Sequence, residues 1–190
     1  YLECDEATLA GLLGDAVRMK DLPGMTDVDA SMLYFCSLVA KQNKVTLTGE
    51  CADEIFGGYP WFHRPDMLAS DTFPWCMDMS ARTEVLRPEV ARELDLEGYA
   101  RHRCQQSTAE TPRLEGESGE EARRREIGWL NLNWFMTNLL DRKDRMSMYS
   151  GLEVRVPFCD HQLVEYVWNI PWSMKSRGGA RKQVLRDAAK

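Results

Sequence analysis

Three carboxylates and three glycines are concentrated in one short segment, which reads Thr-Gly-Glu-Cys-Ala-Asp-Glu-Ile-Phe-Gly-Gly-Tyr over Thr48–Tyr59. Carboxylate oxygens are the ligands that Mg²⁺ takes, and magnesium bridges them to the phosphates of a substrate. The first glycine, Gly49, leaves the backbone open to a ligand that comes close. The segment therefore predicts a site for a magnesium-bound phosphate, with the candidate acids Glu50, Asp53 and Glu54.

The segment starts where a strand is predicted to end. Lys44–Thr48 is short and β-branched, which is typical of a strand, and ligands of open α/β sheets bind beyond the carboxyl ends of the strands. A simpler interpretation is that Asp53 and Glu54 only favour the first turn of a short helix. That interpretation does not account for Glu50 or for the flanking glycines, so a functional site is the favoured hypothesis.

A second candidate is basic and lies near the end of the chain, at Arg177–Lys182, just before a predicted helix. Cations in the first turn oppose the helix dipole by about 0.3–1 kcal/mol each. Three of them there, beside two glycines, make sense if an anion binds among the backbone N–H groups. The alternative is a solvated basic terminus, and the sequence leaves both interpretations open.

A third segment, Asp144–Phe158, contains a predicted helix end at Gly151 followed by alternating residues. Val154 points to one side of an extended chain, whereas Glu153 and Arg155 point to the other. Such alternation is more typical of an exposed ion pair than of a functional site.

The elements that must position these residues are mostly helical. Apolar residues recur at helical spacing in Leu9–Val17 and almost all round a second predicted helix over residues 28–41. Residues 119–140 predict a long helix that forms the core of the second half. Residues 105–118 are polar and predict a mobile surface loop. Because only one strand is convincing, the strands that would complete a sheet are expected upstream of the chain.

Composition excludes several classes of protein. The 190 residues carry a net charge of −6 and no basic stripe, which argues against a dedicated nucleic-acid binder. The longest nearly apolar run, Ser31–Ala40, is too short to span a bilayer, and Tyr1–Thr8 does not resemble a signal peptide. Six cysteines without a Cys-x-x-Cys pair favour reduced thiols. These features predict a cytoplasmic protein without membrane or nucleic-acid partners.

The three segments, in this order, resemble the synthetase domain of the asparagine synthetases. Leu47–Tyr59 matches the family's Leu-Ser-Gly-Glu-Gly-Ala-Asp-Glu-Leu-Phe-Gly-Gly-Tyr, and Asp144–Phe158 matches Asp-Arg-x-Ser-Met … Gly-Leu-Glu-x-Arg-Val-Pro-Phe. The family's closing Lys-x-x-Leu-Arg is matched by Lys182, Leu185 and Arg186.

Two residues depart from the family pattern. Cys51 stands where the family has glycine, which adds a side chain where a ligand comes close, and Thr48 stands where the family has serine. The Ser-Gly-Gly-x-Asp-Ser loop, which in the family cradles the pyrophosphate end of ATP, does not occur in these residues. It is expected upstream, together with an N-terminal glutaminase domain.

The resemblance implies an α/β fold of the adenine-nucleotide α-hydrolase-like, PP-loop ATP pyrophosphatase type, of which this piece would be a mostly helical part. It also implies synthesis of asparagine in two steps. ATP adenylates the side-chain carboxylate of aspartate, and ammonia from glutamine then displaces AMP. By the same resemblance Asp53 holds Mg²⁺, Thr48 and Gly49 lie against the nucleotide, and Lys182 neutralises phosphate charge.

Three further roles are implied in the same way. Glu50 is the acid tied to the acyl-adenylate and to amine attack, and Glu54 and Arg155 shape the aspartate pocket. Residues 1–190 would be the C-terminal portion of the synthetase domain, inactive by itself, and a second copy of the chain is an expected partner. The alternatives are a β-lactam-synthetase-like or peptide-cyclising homologue, in which an internal amine attacks, and a non-catalytic interaction module.

Overall fold

The computed structural model describes residues 2–21, 24 and 26–190, without the side chains of residues 26 and 27. The chain divides into two compact units. The first consists of the chain up to Cys51 together with Met136–Leu163, and the second of Ala52–Phe135 together with Val164–Lys190. The sequence predicts one domain portion over residues 1–190, and the structure shows these two units within it.

Helices dominate both units. In chain order the elements are α1 (Glu6–Lys20), α2 (Thr26–Val39), β1 (Val45–Leu47), α3 (Ala52–Phe56), α4 (Pro65–Leu68), α5 (Ser80–Glu84), α6 (Pro88–Leu94), α7 (Leu96–Ala109), α8 (Gly119–Leu130), α9 (Thr137–Tyr149), β2 (Glu153–Arg155), α10 (His161–Trp168), α11 (Trp172–Lys175) and α12 (Gln183–Ala188). Turns of 3-10 helix lie at Pro60–Phe62 and Pro157–Cys159, and a π-helical turn at Asn131–Met136 joins α8 to α9.

In the first unit, α1, α2 and α9 pack against one another beside a pair of strands. Helix α1 begins at a cap in which the Asp5 carboxylate accepts a hydrogen bond from the Thr8 N–H at 2.7 Å, which satisfies one of the free donors of the first turn. Strands β1 and β2 are parallel, with Val45 opposite Glu153 and Leu47 opposite Arg155. The buried apolar residues of this unit include Ala16, Ala30, Leu33, Cys36, Met146 and Leu152.

The second unit is built around α8 and is rich in aromatic residues. Ile127 and Leu130 on α8 are fully buried, and each belongs to a separate cluster. One cluster contains Phe73, Ala100, Cys104 and Leu130, and the other contains Trp61, Phe62 and Ile127. Aromatic side chains bury large areas and pack with specific ring geometry, so these clusters hold the turn Pro60–Phe62, α4 and α7 against α8.

Several predicted elements are confirmed, with changed limits. The amphipathic first helix and the strand at residues 44–48 are present as α1 and β1. The predicted long helix over residues 119–140 runs further, through the π-helical turn to the end of α9. Residues 105–109, predicted as loop, continue α7, whereas residues 110–118 contain no helix or strand. The mobility of that loop stays a prediction.

Over the described part of the chain, no helix is both long and apolar enough to cross a membrane.

Candidate active site

The candidate acid Glu50 follows the carboxyl end of β1 in the first unit. Pairing of the strands continues one residue beyond β1, since the Thr48 N–H donates to the Arg155 carbonyl at 3.0 Å. The Thr48 hydroxyl then donates to Glu50 Oε2 at 3.3 Å. This short chain of contacts fixes the two residues relative to the strand ends, where parallel sheets bind their ligands.

A buried lysine that the sequence reading missed lies beside Glu50. Lys143 on α9 has a side chain that is only 6% exposed, and its Nζ lies 3.8 Å from Glu50 Oε2. The same ammonium donates to the Val154 carbonyl at 3.2 Å. A buried cation is costly unless it is paired and hydrogen-bonded, and Glu50 and the Val154 carbonyl are the partners of Lys143 at this position.

A sequence signal for Lys143 does exist. The buried face of α9 recurs every three to four residues through Leu139, Leu140, Met146 and Ser147, and position 143 falls on that face. A lysine on an apolar helix face is rarely buried without a partner. That combination would have indicated a nearby carboxylate.

Cys51 adopts a backbone conformation that side chains rarely take and forms a disulfide. Its φ is +72°, in the left-handed region that favours glycine. Its sulfur is bonded to that of Cys159, with the two Cα atoms 5.9 Å apart. The prediction of reduced thiols is therefore wrong for this pair and correct for Cys4, Cys36, Cys76 and Cys104, which are free. The pairing could not be read from spacing, because 108 residues separate the two cysteines.

Arg155 forms the exposed ion pair that the alternating pattern favours. Its Nε lies 2.8 Å from Glu153 Oε1, and the two side chains are 63% and 53% exposed. An exposed pair of this kind contributes about 0.2–1 kcal/mol. The aspartate-pocket role that the family resemblance implies for Arg155 stays a prediction.

In the second unit the structure brings together two predicted site residues that are far apart in sequence. Lys182 Nζ lies 2.9 Å from Asp53 Oδ1. The carboxylate rests directly against Gly58, because a Cβ added to that glycine would lie 1.7 Å from Asp53 Oδ1. The turn is closed by a hydrogen bond from the Gly58 N–H to the Asp53 carbonyl at 2.8 Å. The Asp53 carboxylate therefore packs directly against Gly58, in the space that a side chain at residue 58 would occupy.

The structure does not show the cations of Arg177–Lys182 free to receive an anion, because each of the three contacts an oxygen atom of the protein. Lys182 itself caps α12 with a left-handed backbone, φ +54°, and pairs with Asp53. Arg177 pairs with Asp187 at 3.0 Å, and Arg181 donates to the Gly58 carbonyl at 3.2 Å. The basic segment thus places its cations on carboxylate and carbonyl oxygens, and two of the three reach the Asp53–Gly58 turn.

Glu54 is buried, and its Oε1 accepts a hydrogen bond from the Tyr59 hydroxyl at 2.8 Å. It lines a cavity of about 250 Å³ within the second unit, whose walls include Trp168, Trp172 and Lys175. Burial, followed by the positive charge of Arg125, lowers the pKa of the Lys175 amine to about 8. Small-molecule sites typically measure about 300–1,000 Å³, so this cavity suits a ligand of amino-acid size.

The carboxylates of Glu50 and Asp53 belong to different units, and the magnesium-bound phosphate site that the sequence predicts for both stays a prediction. Among the described residues, no group of three or more His, Cys, Asp or Glu side chains could hold a metal ion. Mg²⁺ commonly needs only one or two carboxylates besides substrate phosphates and water. The donor set of Asp53, a carboxylate 38% exposed, fits a magnesium ion of that kind.

Comparison with known proteins gives consistent results over the whole chain. The sequence model of the family described as asparagine synthase matches residues 1–190. The asparagine synthetase [glutamine-hydrolyzing] 3 of Bacillus subtilis is 54% identical over 176 residues, which are 93% of this chain and 28% of that protein. Asparagine synthetase [glutamine-hydrolyzing] 1 of the same organism is 25% identical over 197 residues, 87% of this chain and 31% of that protein.

A fungal protein, the amidase chry2 of Gibberella zeae, is 26% identical over 242 residues, which cover 100% of this chain and 36% of the amidase. The chain thus spans about a third, or less, of the length of the curated relatives that it matches.

Proposed function

Because this chain belongs to the asparagine synthase family, whose fold is of the adenine-nucleotide α-hydrolase-like type, we propose that the protein carrying it makes asparagine from aspartate. ATP would adenylate the side-chain carboxylate of aspartate with release of pyrophosphate. Ammonia would then attack the acyl carbon and displace AMP. A carboxylate is a poor electrophile, and adenylation supplies the leaving group that amide formation needs.

The residues of the second unit are suited to the first step. Asp53 would hold Mg²⁺, which when bound screens the charge of the phosphates. Lys182 would pass from Asp53 to the pyrophosphate as negative charge develops on it, which lowers the barrier because a placed cation stabilises the transition state. Thr48 and Gly49, at the end of β1, would lie against the nucleotide.

Glu50 is the acid proposed for the acyl-adenylate and amine-attack steps. Lys143 holds its carboxylate in place through their 3.8 Å contact, so Glu50 can accept a proton from the attacking amine. Glu54 and Arg155 are proposed to shape the aspartate pocket. The small cavity beside Glu54 supports that role for Glu54, whereas Arg155 is already engaged by Glu153.

The observation that carries the proposal is the Asp53–Lys182 contact. A metal-binding carboxylate and a phosphate-neutralising cation come from residues that are 129 positions apart, yet their charged atoms are 2.9 Å apart. Residue 58 must be a glycine, because a Cβ there would overlap the Asp53 carboxylate. Packing one exposed carboxylate closely against a glycine adds little to the core, whereas a metal–phosphate site needs a carboxylate that is held in one position.

Replacement of Lys182 by alanine tests the proposal in the full protein. We expect the rate of aspartate-dependent ATP–pyrophosphate exchange to fall by about 10²–10³, since loss of a single transition-state charge partner costs about 3–4 kcal/mol. The KM for aspartate should change little. The matched control is Lys190→Ala, because Lys190 also pairs with an aspartate, Asp187, at 2.9 Å. Exchange by Lys182→Ala at the rate of this control would refute the proposal.

Several wider features belong to the same proposal. The ammonia would come from glutamine through an N-terminal glutaminase domain, the protein would act in the cytoplasm, and a second copy of the chain would be its partner. The amidase among the relatives favours testing other amine acceptors as well. Supplying ammonia, glutamine and a panel of amines to the enzyme together with ATP and aspartate would distinguish asparagine synthesis from amidation of another kind.

A further inference from the structure

We propose that Cys51 and Cys159 form a reversible thiol–disulfide site that controls the position of Glu50. The two cysteines lie just beyond the carboxyl ends of the paired strands β1 and β2. Cys51 follows β1 by four residues, and Cys159 ends the turn Pro157–Cys159 that follows β2. The disulfide therefore ties together the two segments between which a parallel sheet offers its ligand site.

The disulfide controls the backbone conformation of Cys51. A residue with a Cβ in the left-handed region carries a cost of about 1–2 kcal/mol, and Cys51 adopts φ +72°. The tether to Cys159 opposes relaxation of that conformation. Once the sulfur–sulfur bond is cleaved, Cys51 is free to return towards an ordinary backbone conformation, and the peptide that it shares with Glu50 turns with it.

Glu50 is the residue that such a rotation moves first. Its carboxylate is held by the Thr48 hydroxyl at 3.3 Å and by Lys143 Nζ at 3.8 Å. The second of these distances is already long for a hydrogen bond, so a small rotation at residue 50 separates the two charges. The inference rests on the proposed function, in which Glu50 acts on the acyl-adenylate, and it makes Cys51 a positioning residue.

The chemistry is a two-electron exchange with a small disulfide, RSSR. A thiolate of the pair attacks one sulfur of RSSR and releases one RSH after protonation. The second cysteine then attacks the mixed disulfide, so the Cys51–Cys159 bond forms and a second RSH leaves. The protein loses two electrons and two protons, which reduce RSSR to the two RSH molecules that are released. Reduction by RSH runs the same steps in reverse. Disulfides of cytosolic proteins are usually transient and redox-sensing.

Two of the free thiols, Cys36 and Cys104, are poorly suited to the same exchange. Burial, followed by the negative charge of Glu50, raises the pKa of the Cys36 thiol, and burial raises the pKa of Cys104. A thiol held protonated is a weak nucleophile. An exchange reagent is therefore expected to leave Cys36 and Cys104 unreacted.

The test uses the full protein in buffers of defined thiol-to-disulfide ratio. The state of the pair is read by alkylation and mass spectrometry, the order of residues 48–51 by hydrogen–deuterium exchange, and function by the rate of asparagine formation. On reduction we expect faster deuterium uptake in residues 48–51. We also expect turnover to fall by roughly ten- to a hundredfold, because a displacement of about 1 Å can cost 10²-fold.

Two variants separate the effect of the disulfide from the effect of the strained backbone at Cys51. Cys51→Gly removes the thiol at a position where glycine adopts the left-handed conformation freely, so its turnover should be equal in both buffers. Cys159→Ser removes the tether but keeps the strained Cys51, so it should match the reduced wild type in both buffers. Cys4→Ser, the control, should retain the full redox response.

The readouts distinguish failure of this inference from failure of the proposed function. Protein that forms asparagine equally fast with the pair fully oxidised and fully reduced, with unchanged deuterium uptake, overturns the inference and leaves the function standing. Protein inactive in every buffer refutes the proposed function, and uptake in residues 48–51 then decides the inference: uptake that follows the redox state supports control of Glu50's position, and uptake that does not overturns it.

Discussion

Replacing Gly58 with alanine adds a single methyl group at the position where the Asp53 carboxylate packs. The added Cβ would lie 1.7 Å from Asp53 Oδ1, 2.6 Å from Cγ and 3.0 Å from Cβ. Rotation of the carboxylate relieves the first two overlaps but not the third. The hydrogen bond between the Gly58 N–H and the Asp53 carbonyl holds the turn closed, so the Asp53 side chain must move away from Lys182.

Two effects contribute to the expected loss of stability, and the steric one dominates. Overpacking by a methyl group typically costs about 1–3 kcal/mol. The ion pair that is broken is 38% exposed at Asp53 and 29% at Lys182, and such pairs contribute about 1 kcal/mol at most. We therefore expect the free energy of unfolding of Gly58→Ala to fall by about 1–3 kcal/mol, measured by urea titration.

The effect on activity should be larger than the effect on stability. A carboxylate displaced by about 1 Å from a reacting phosphate can cost about a hundredfold in rate. ATP–pyrophosphate exchange should fall by that order under conditions in which the variant remains folded. The control is Gly119→Ala, since nothing lies within 4 Å of a Cβ at that glycine; its exchange rate should be that of the wild type. Wild-type exchange by Gly58→Ala would refute the placement of Asp53 in the metal–phosphate site.

Two more substitutions test buried lysines. Lys143→Met should lower turnover by about 10²–10³ through loss of the charge that holds Glu50, whereas Lys41→Met, at an exposed position, should have no effect; equal turnover in the two variants would exclude the role assigned to Lys143. Lys175 has a folded-state pKa of about 8, below its ordinary 10.5, so the unfolded chain binds more protons between these values and stability rises with pH across that window. Lys175→Met should therefore raise the free energy of unfolding at pH 7 by roughly 1–3 kcal/mol, a gain that shrinks towards pH 10; a gain of equal size at both pH values would contradict the reasoning.

The sequence predicts what local patterns determine. The spacing of Leu9, Leu12 and Leu13 is enough for α1, and β-branched residues after Lys44 are enough for β1. The second strand is weaker, because three residues flanked by Glu153 and Arg155 look the same whether or not another strand lies alongside. Pairing with β1 over more than a hundred residues decides it.

The site shows the same division. Glu50, Asp53 and Lys182 stand in recognisable motifs, but the contact between Asp53 and Lys182 joins two segments that the sequence gives no reason to pair. The contact of Lys143 with Glu50 and the bond between Cys51 and Cys159 depend on how α9 and the strand ends meet in three dimensions. No local pattern around Cys51 distinguishes a free thiol from a paired one.

The discontinuous course of the first unit has a consequence for its synthesis on the ribosome. Strand β1 emerges with the N-terminal part, but its partner β2 lies in Met136–Leu163. Residues 48–152 must be made in between, which takes roughly 5–21 s at about 5–20 residues per second. Throughout that interval the nascent β1 has an unpaired edge, and such edges invite pairing with other chains. The packed helices α1 and α2 are complete before β1 appears, whereas α9 and β2 are made only towards the end of that interval.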